Sequence, residues 1–211
     1  MKHGLLVLAA FIALAIGVPA SAQYMYIDVD GDGLNTAADV LTASTTGVDI
    51  YLATDKKLTD PNNYDSAVIP TTCQTDPVPL TINSYQIILT APQGGITYGL
   101  WTDNMGFDIP VGNAQGGNDK VIGWASATSQ PPGTYKLGHL ALGVSGNATL
   151  TFAVTTSLAG DVFTCFGSQC GGLDFDNTPK YNTDWQSIGP TRSAIPVTET
   201  TWGKIKTLYN K

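Results

Sequence analysis

The chain has 211 residues and a formal net charge of −7, long enough for one domain with a substantial core but without the basic patch that nucleic acid or an anionic membrane requires. Glu199 is the only glutamate among its 17 acidic residues, and with 23 Gly and 12 Pro the composition favours turns and strands over helices.

Lys2 and His3, an apolar run from Gly4 to about Val18, and Ala20-Ser21-Ala22 ahead of Gln23 have the form of a secretory signal with a small-residue cleavage site. Residues 1–22 therefore read as a signal peptide. No cysteine follows the cleavage site to take a lipid, and no second apolar run is long enough to span a bilayer. The expectation is a secreted, extracellular or cell-surface protein with no membrane insertion and no nucleic-acid partner.

Residues 23–47 form an acidic segment built on Asp28-Val29-Asp30-Gly31-Asp32-Gly33-Leu34-Asn35-Thr36-Ala37-Ala38-Asp39. Carboxylates fall at positions 1, 3, 5 and 12 of a calcium loop, with glycine at position 6 for the sharp bend. Asp28, Asp30, Asp32, Thr36, Asp39 and the Leu34 carbonyl are the predicted oxygen ligands of Ca2+. A calcium switch needs long amphipathic helices on both sides, and the residues after Asp39 turn quickly to strand formers. The loop resembles a dockerin repeat, which also carries Asp at position 12, but a dockerin has two such loops, each followed by a helix. The expected role here is a staple rather than a sensor.

Strand-like runs bounded by turns follow at Val48 to Leu52, Leu80 to Thr90, Ile96 to Trp101, Val121 to Ala125, Thr134 to Val144, Ala148 to Thr155 and Val162 to Phe166. Ala148-Thr-Leu150-Thr-Phe152-Ala-Val154-Thr alternates apolar and polar as a half-buried strand does. It follows Leu140, Leu142 and Val144 across Ser145-Gly146-Asn147, which reads as a hairpin. Short strands separated by Gly, Pro and Asn predict an all-β antiparallel sandwich over residues 48–190.

The runs Val48-Asp-Ile50-Tyr51-Leu52, Ile82-Asn-Ser-Tyr85-Gln-Ile87-Ile88-Leu89 and Gly133-Thr-Tyr135-Lys-Leu137-Gly-His-Leu140-Ala-Leu142, leading into Leu150-Thr-Phe152, look like the cohesin and carbohydrate-binding-module group of β-sandwiches. The resemblance rests on strand pattern. It implies a jelly-roll, cohesin-like topology and non-catalytic recognition outside the cell, without naming a ligand.

Cys73, Cys165 and Cys170 in an exported chain favour oxidation, with one thiol left over. A Cys165–Cys170 ring and a Cys73–Cys170 link are both open; the longer link constrains the unfolded chain more and is the preferred expectation. Zinc does not suit a mature chain whose one histidine is His139 and which has no Cys-x-x-Cys. A second acidic group, Asp174, Asp176 and Asn177 with Asp184, is a candidate for another calcium but lacks fixed spacing. Trp101, Trp124 and Trp185 with Tyr98 and Tyr135 could stack on sugars, although strand position favours burial for the first two. Catalysis has little to run on: Asp103 with Asp108 or Asp119 is a carboxylate pair without defining spacing, and His139 has no nucleophile motif beside it.

Residues 191–211 differ in character. Trp202, Ile205 and Leu208 with Tyr209 share one helical face, so a short C-terminal helix is predicted, either closing the sandwich or offering Trp202, Ile205 and Tyr209 for docking. The whole reads as a non-catalytic, calcium-stabilised β-sandwich whose partner is an extracellular protein. The alternatives are a polysaccharide, or a second copy in a surface layer or fibre.

Overall fold

The structure is a computed structural model, and it describes residues 24–58, 66–68, 79, 81–153, 156–158, 164–167, 187–188 and 192–193. The predicted signal peptide, Cys73 and Cys170, the acidic group from Asp174 to Asp184, and the predicted helix and docking residues at Trp202, Ile205 and Tyr209 lie outside these. Among the described residues there is no helix, and therefore none long and apolar enough to cross a membrane.

The described residues form thirteen strands in chain order: β1 (Tyr24–Asp28), β2 (Gly47–Ala53), β3 (Lys56–Leu58), β4 (Ser66–Val68), β5 (Ile82–Thr90), β6 (Ile96–Asp103), β7 (Ile109–Gly116), β8 (Asp119–Gln130), β9 (Thr134–Val144), β10 (Thr149–Phe152), β11 (Cys165–Gly167), β12 (Ser187–Ile188) and β13 (Arg192–Ser193). Two sheets pack face to face. The first runs β12-β1-β2-β9-β6, and the second runs β13-β10-β5-β8-β7, with β11 also on β5. Apart from the parallel pair β1 and β12, the pairings within these sheets are antiparallel.

Alternation along each strand sends one row of side chains into a shared core. Met25, Ile27, Val48, Ile50, Leu52, Leu137, Leu140 and Leu142 from the first sheet meet Ile82, Tyr85, Ile87, Leu89, Ile122, Leu150 and Phe152 from the second. On the outer side of the first sheet, Tyr24 and Tyr26 form a smaller cluster with Ala53, Leu58 and Tyr51. That second layer explains why every residue of β1 is buried: a strand covered on both faces shows no apolar alternation in sequence.

The segment from Ser145 to Asn147 is not a hairpin turn. β9 lies in the first sheet and β10 in the second, so this turn carries the chain across the sandwich. Gly146 takes a left-handed φ of 61°, and Ser145 N donates to Gly95 O at 2.8 Å. The apolar faces of β9 and β10 both point inward, which a corner between sheets satisfies as well as a hairpin does. β10 and β11 lie end to end along β5. Thr164 Oγ1 bridges the junction, accepting from Ile88 N and donating to Ala153 O.

Candidate functional site

The acidic loop leaves the end of β1 and returns to the core through Leu41, whose side chain is fully buried. Asp28 closes the first half: its Oδ1 accepts from Gly31 N at 2.7 Å and its Oδ2 from Gly33 N at 2.8 Å. Gly31 and Gly33 adopt φ values of 80° and 78°, a conformation that L side chains adopt only with strain. Tyr26 Oη donates to Gly33 O at 2.8 Å, and its ring stacks on Tyr51 at 5.0 Å. The aromatic layer thus braces the loop from beneath.

Carboxylate oxygens of Asp28, Asp30 and Asp32 lie within 4.8 Å of one another. Asp39, the fourth predicted carboxylate ligand, is held by backbone amides. Its Oδ1 accepts from Val29 N at 2.6 Å and its Oδ2 from Thr36 N at 2.8 Å, which ties the loop's exit to its entrance. Leu34 stands out in solvent at 59 % exposure, and its N–H donates to Asp32 Oδ1 at 2.7 Å. Thr36 Oγ1 accepts from Ala38 N at 3.1 Å.

Asp28 is 1 % exposed and Asp39 3 %. Burial raises the Asp28 carboxyl above the ordinary aspartate value; the Gly33 and Gly31 amides oppose that, and the charges of Asp39 and Asp49 add to it. Asp49, opposite Asp28 in the β1–β2 register, is not marked by any motif in the sequence. Its outward position follows from the Val48-Asp49-Ile50 alternation, but its nearness to Asp28 follows only from register. Asp49 is itself neutralised: Lys136 pairs with Oδ2, and His139 Nδ1 lies 2.6 Å from Oδ1. Among the described residues, Asp28, Asp30 and Asp32 form no ion pair. Three neighbouring carboxylates, one of them buried, suit a hard divalent cation, because charge removed from water needs a counter-charge.

The other sheet carries a different surface. On its outer side Val111 Cγ2 would lie 2.9 Å from a Cβ placed on Gly123, so the valine rests directly over glycine backbone. Ile109 is 47 % exposed and Val111 54 %. Ile109 stands opposite Ala125 of β8 in register, and Val111 falls at the bulge between Pro110 and Gly112; β7 carries no charged residue. Sequence reading missed β7, since Ile109-Pro-Val-Gly-Asn-Ala-Gln-Gly116 has weak alternation and contains proline; an outermost strand tolerates both.

Trp101 is 8 % exposed and Trp124 packs partly buried on the core, as their strand positions predict. Asp103 is taken up by structure, accepting from Tyr85 Oη and from Phe107 N. Asp119 accepts from Thr156 Oγ1 at 2.7 Å. Cys165 is buried at 6 %. Compared with models of protein families, with characterised proteins and with solved structures, the chain matches none.

Proposed function

We propose that this chain is an exported, calcium-stapled β-sandwich that acts by recognising another protein outside the cell. The observation that carries the reading is the neutral strip on the outer side of the second sheet, where Ile109 and Val111 stand exposed over Gly123 and Ala125. Apolar side chains on an uncharged strand suit contact with a protein surface. Sugar stacking calls for exposed aromatic rings, whereas the large apolar side chains exposed among the described residues are Leu34, Leu100, Ile109 and Val111, all aliphatic.

Strand addition into a fibre is less well served. The outermost strands on this side, β6 and β7, each carry a bulge, between Tyr98 and Trp101 and between Pro110 and Gly112. Bulges and proline are devices that discourage edge pairing. The nested pairings β2 with β9 and β5 with β8 support a jelly-roll, cohesin-like winding, since rolling one long hairpin onto itself generates that order. Calcium would be held by Asp28, Asp30 and Asp32, with Leu34 and Thr36 as further oxygens and Asp39 keeping the loop closed. Its contribution is to neutralise the carboxylates and pin β1 to the sheet.

The test is retention of the purified protein on a polysaccharide panel and on extracellular proteins from its source, each with calcium and with chelator. Retention by a protein fraction, lost on Ile109→Asp with Val111→Asp, is the expected result. Calcium-dependent retention on a polysaccharide would turn the assignment to a carbohydrate-binding module.

A further inference from the structure

Asn147-Ala148-Thr149 is the one place in the chain where an asparagine is followed two residues later by serine or threonine, with no proline between. In exported proteins that spacing is the acceptor signal for an N-linked glycan, because the transferring enzyme reads the asparagine amide and the second residue's hydroxyl together. Whether such a triplet can carry a glycan depends on its place in the fold.

Asn147 stands exposed in the turn between β9 and β10, beside the exposed Ser145 and Gly146. Asparagine in a turn ordinarily bonds its own backbone. Here the turn is held by the left-handed Gly146 and by Ser145 N on Gly95 O, and the Asn147 amide makes no hydrogen bond among the described residues. Ala148, next in the chain, is 1 % exposed and Leu150 is fully buried, so the amide projects into solvent from a firmly anchored base. Ser145 N on Gly95 O and Ala91 N on Asn118 O bring three turns, at 145–147, 94–95 and 117–118, to one end of the sandwich. β7 reaches that end at Gly116 and begins with Ile109 at the other. A bulky sugar on Asn147 therefore leaves the Ile109–Val111 strip uncovered.

We propose that Asn147 is an N-glycosylation site, taking an oligosaccharide from a polyprenyl-diphosphate donor during export. The Asn147 side-chain nitrogen forms a bond to the anomeric carbon of the first sugar and gives one proton to the enzyme's base. The bond from that carbon to the diphosphate oxygen breaks, and the diphosphate leaves with its electron pair. Thr149 begins β10 and pairs with Ser193, so the enzyme meets the triplet before β10 joins its sheet. The proposal rests on the reading of the chain as exported and not on the recognition strip.

The experiment recovers the full protein exported by its source and weighs it intact, then fragments the proteolytic peptide that spans Asn147. Added mass composed of sugar units and located on Asn147 is the expected result. Asn147→Gln and Thr149→Ala, made in the same source, should each lose that mass completely. Thr149→Ser keeps the hydroxyl that the enzyme reads and should retain it, which separates lost recognition from a lesion in β10. A peptide at its unmodified mass, sugar on another residue in its place, or sugar retained in Asn147→Gln or in Thr149→Ala would each overturn the proposal. Such a failure leaves protein recognition to be decided separately by the Ile109→Asp, Val111→Asp retention test.

Discussion

The two sheets of this sandwich expose opposite chemistries. Around the end of β1, the first sheet gathers Asp28, Asp30 and Asp32, with Asp39 tied to the same loop and Asp49 beside it paired with Lys136 and His139. At β7, the second sheet presents Ile109 and Val111 over glycine and alanine, on a strand with no charged residue. Each region is costly in the isolated chain for its own reason. The carboxylates of Asp28, Asp30 and Asp32 repel one another, and exposed aliphatics face water. On the proposed reading a cation would meet the first deficit and another surface the second, and the two remedies could be removed independently.

The largest expected effect is on the charged side. A ligand that binds only the folded loop stabilises by about 2.7 kcal/mol at a hundredfold excess over its dissociation constant, which moves the melting temperature of a domain this size by roughly 5–10 °C. Melting in calcium and in chelator should differ by that much, and Asp30→Ala should erase the difference. An unchanged midpoint on chelation would falsify the staple.

A lesion in the packing behind both surfaces separates stapling from core stability. A Cβ on Gly138 of β9 would lie 2.3 Å from Trp101 Cζ2 and 2.4 Å from the Thr102 carbonyl oxygen. Backbone cannot yield as a side-chain tip can, so Gly138→Ala should cost about 1–3 kcal/mol. Thermal melts should show that loss in calcium and in chelator alike. Were the variant destabilised in only one of the two, the loop and the core would be coupled in a way the comparison denies.

pH sharpens the same contrast. Burial holds the Asp28 carboxyl above its ordinary value of 3.8, so the folded protein keeps a proton that the unfolded chain releases. A carboxyl raised in this way supports the fold while protonated. Its contribution is lost as pH rises from just above 3.8 through the folded value. Calcium needs the ionised carboxylate, so the gap between melts in calcium and in chelator should widen from about pH 4 to pH 7. A gap independent of pH would remove Asp28 from the ion's ligands.

The middle of the molecule is legible in the sequence and its margins much less so. β9 runs from Thr134 to Val144 as the apolar pattern predicts, and Ile96, Thr90 and Val48 also fall within strands near their predicted ends. One-sided alternation is a local property, and these strands have one face in the core. β1 has both faces covered, while β7 has little burial on either, so neither carries the period that marks a strand. The turn at Ser145 to Asn147 reads as a hairpin for a related reason: alternation tells which residues face inward, not which sheet they face inward from. In the acidic loop, the spacing of Asp28, Asp30 and Asp32 brings three carboxylates together, whereas the amide contacts of Asp39 and the nearness of Asp49 depend on backbone path and register.

The smallest effect on stability belongs to the neutral strip, and there the absence of change is the informative result. Ile109 and Val111 are 47 % and 54 % exposed, and substitutions at surface positions away from caps and networks usually stay within about 0.5 kcal/mol. Ile109→Asp with Val111→Asp should therefore leave the melting temperature and its calcium dependence where they are. If the strip is a recognition face, the same double variant should lower partner affinity at least tenfold, because burying two carboxylates in an apolar contact is strongly unfavourable. A variant that melted several degrees lower would mean that these side chains serve the fold. One that kept both stability and binding would move the recognition surface elsewhere on the sandwich.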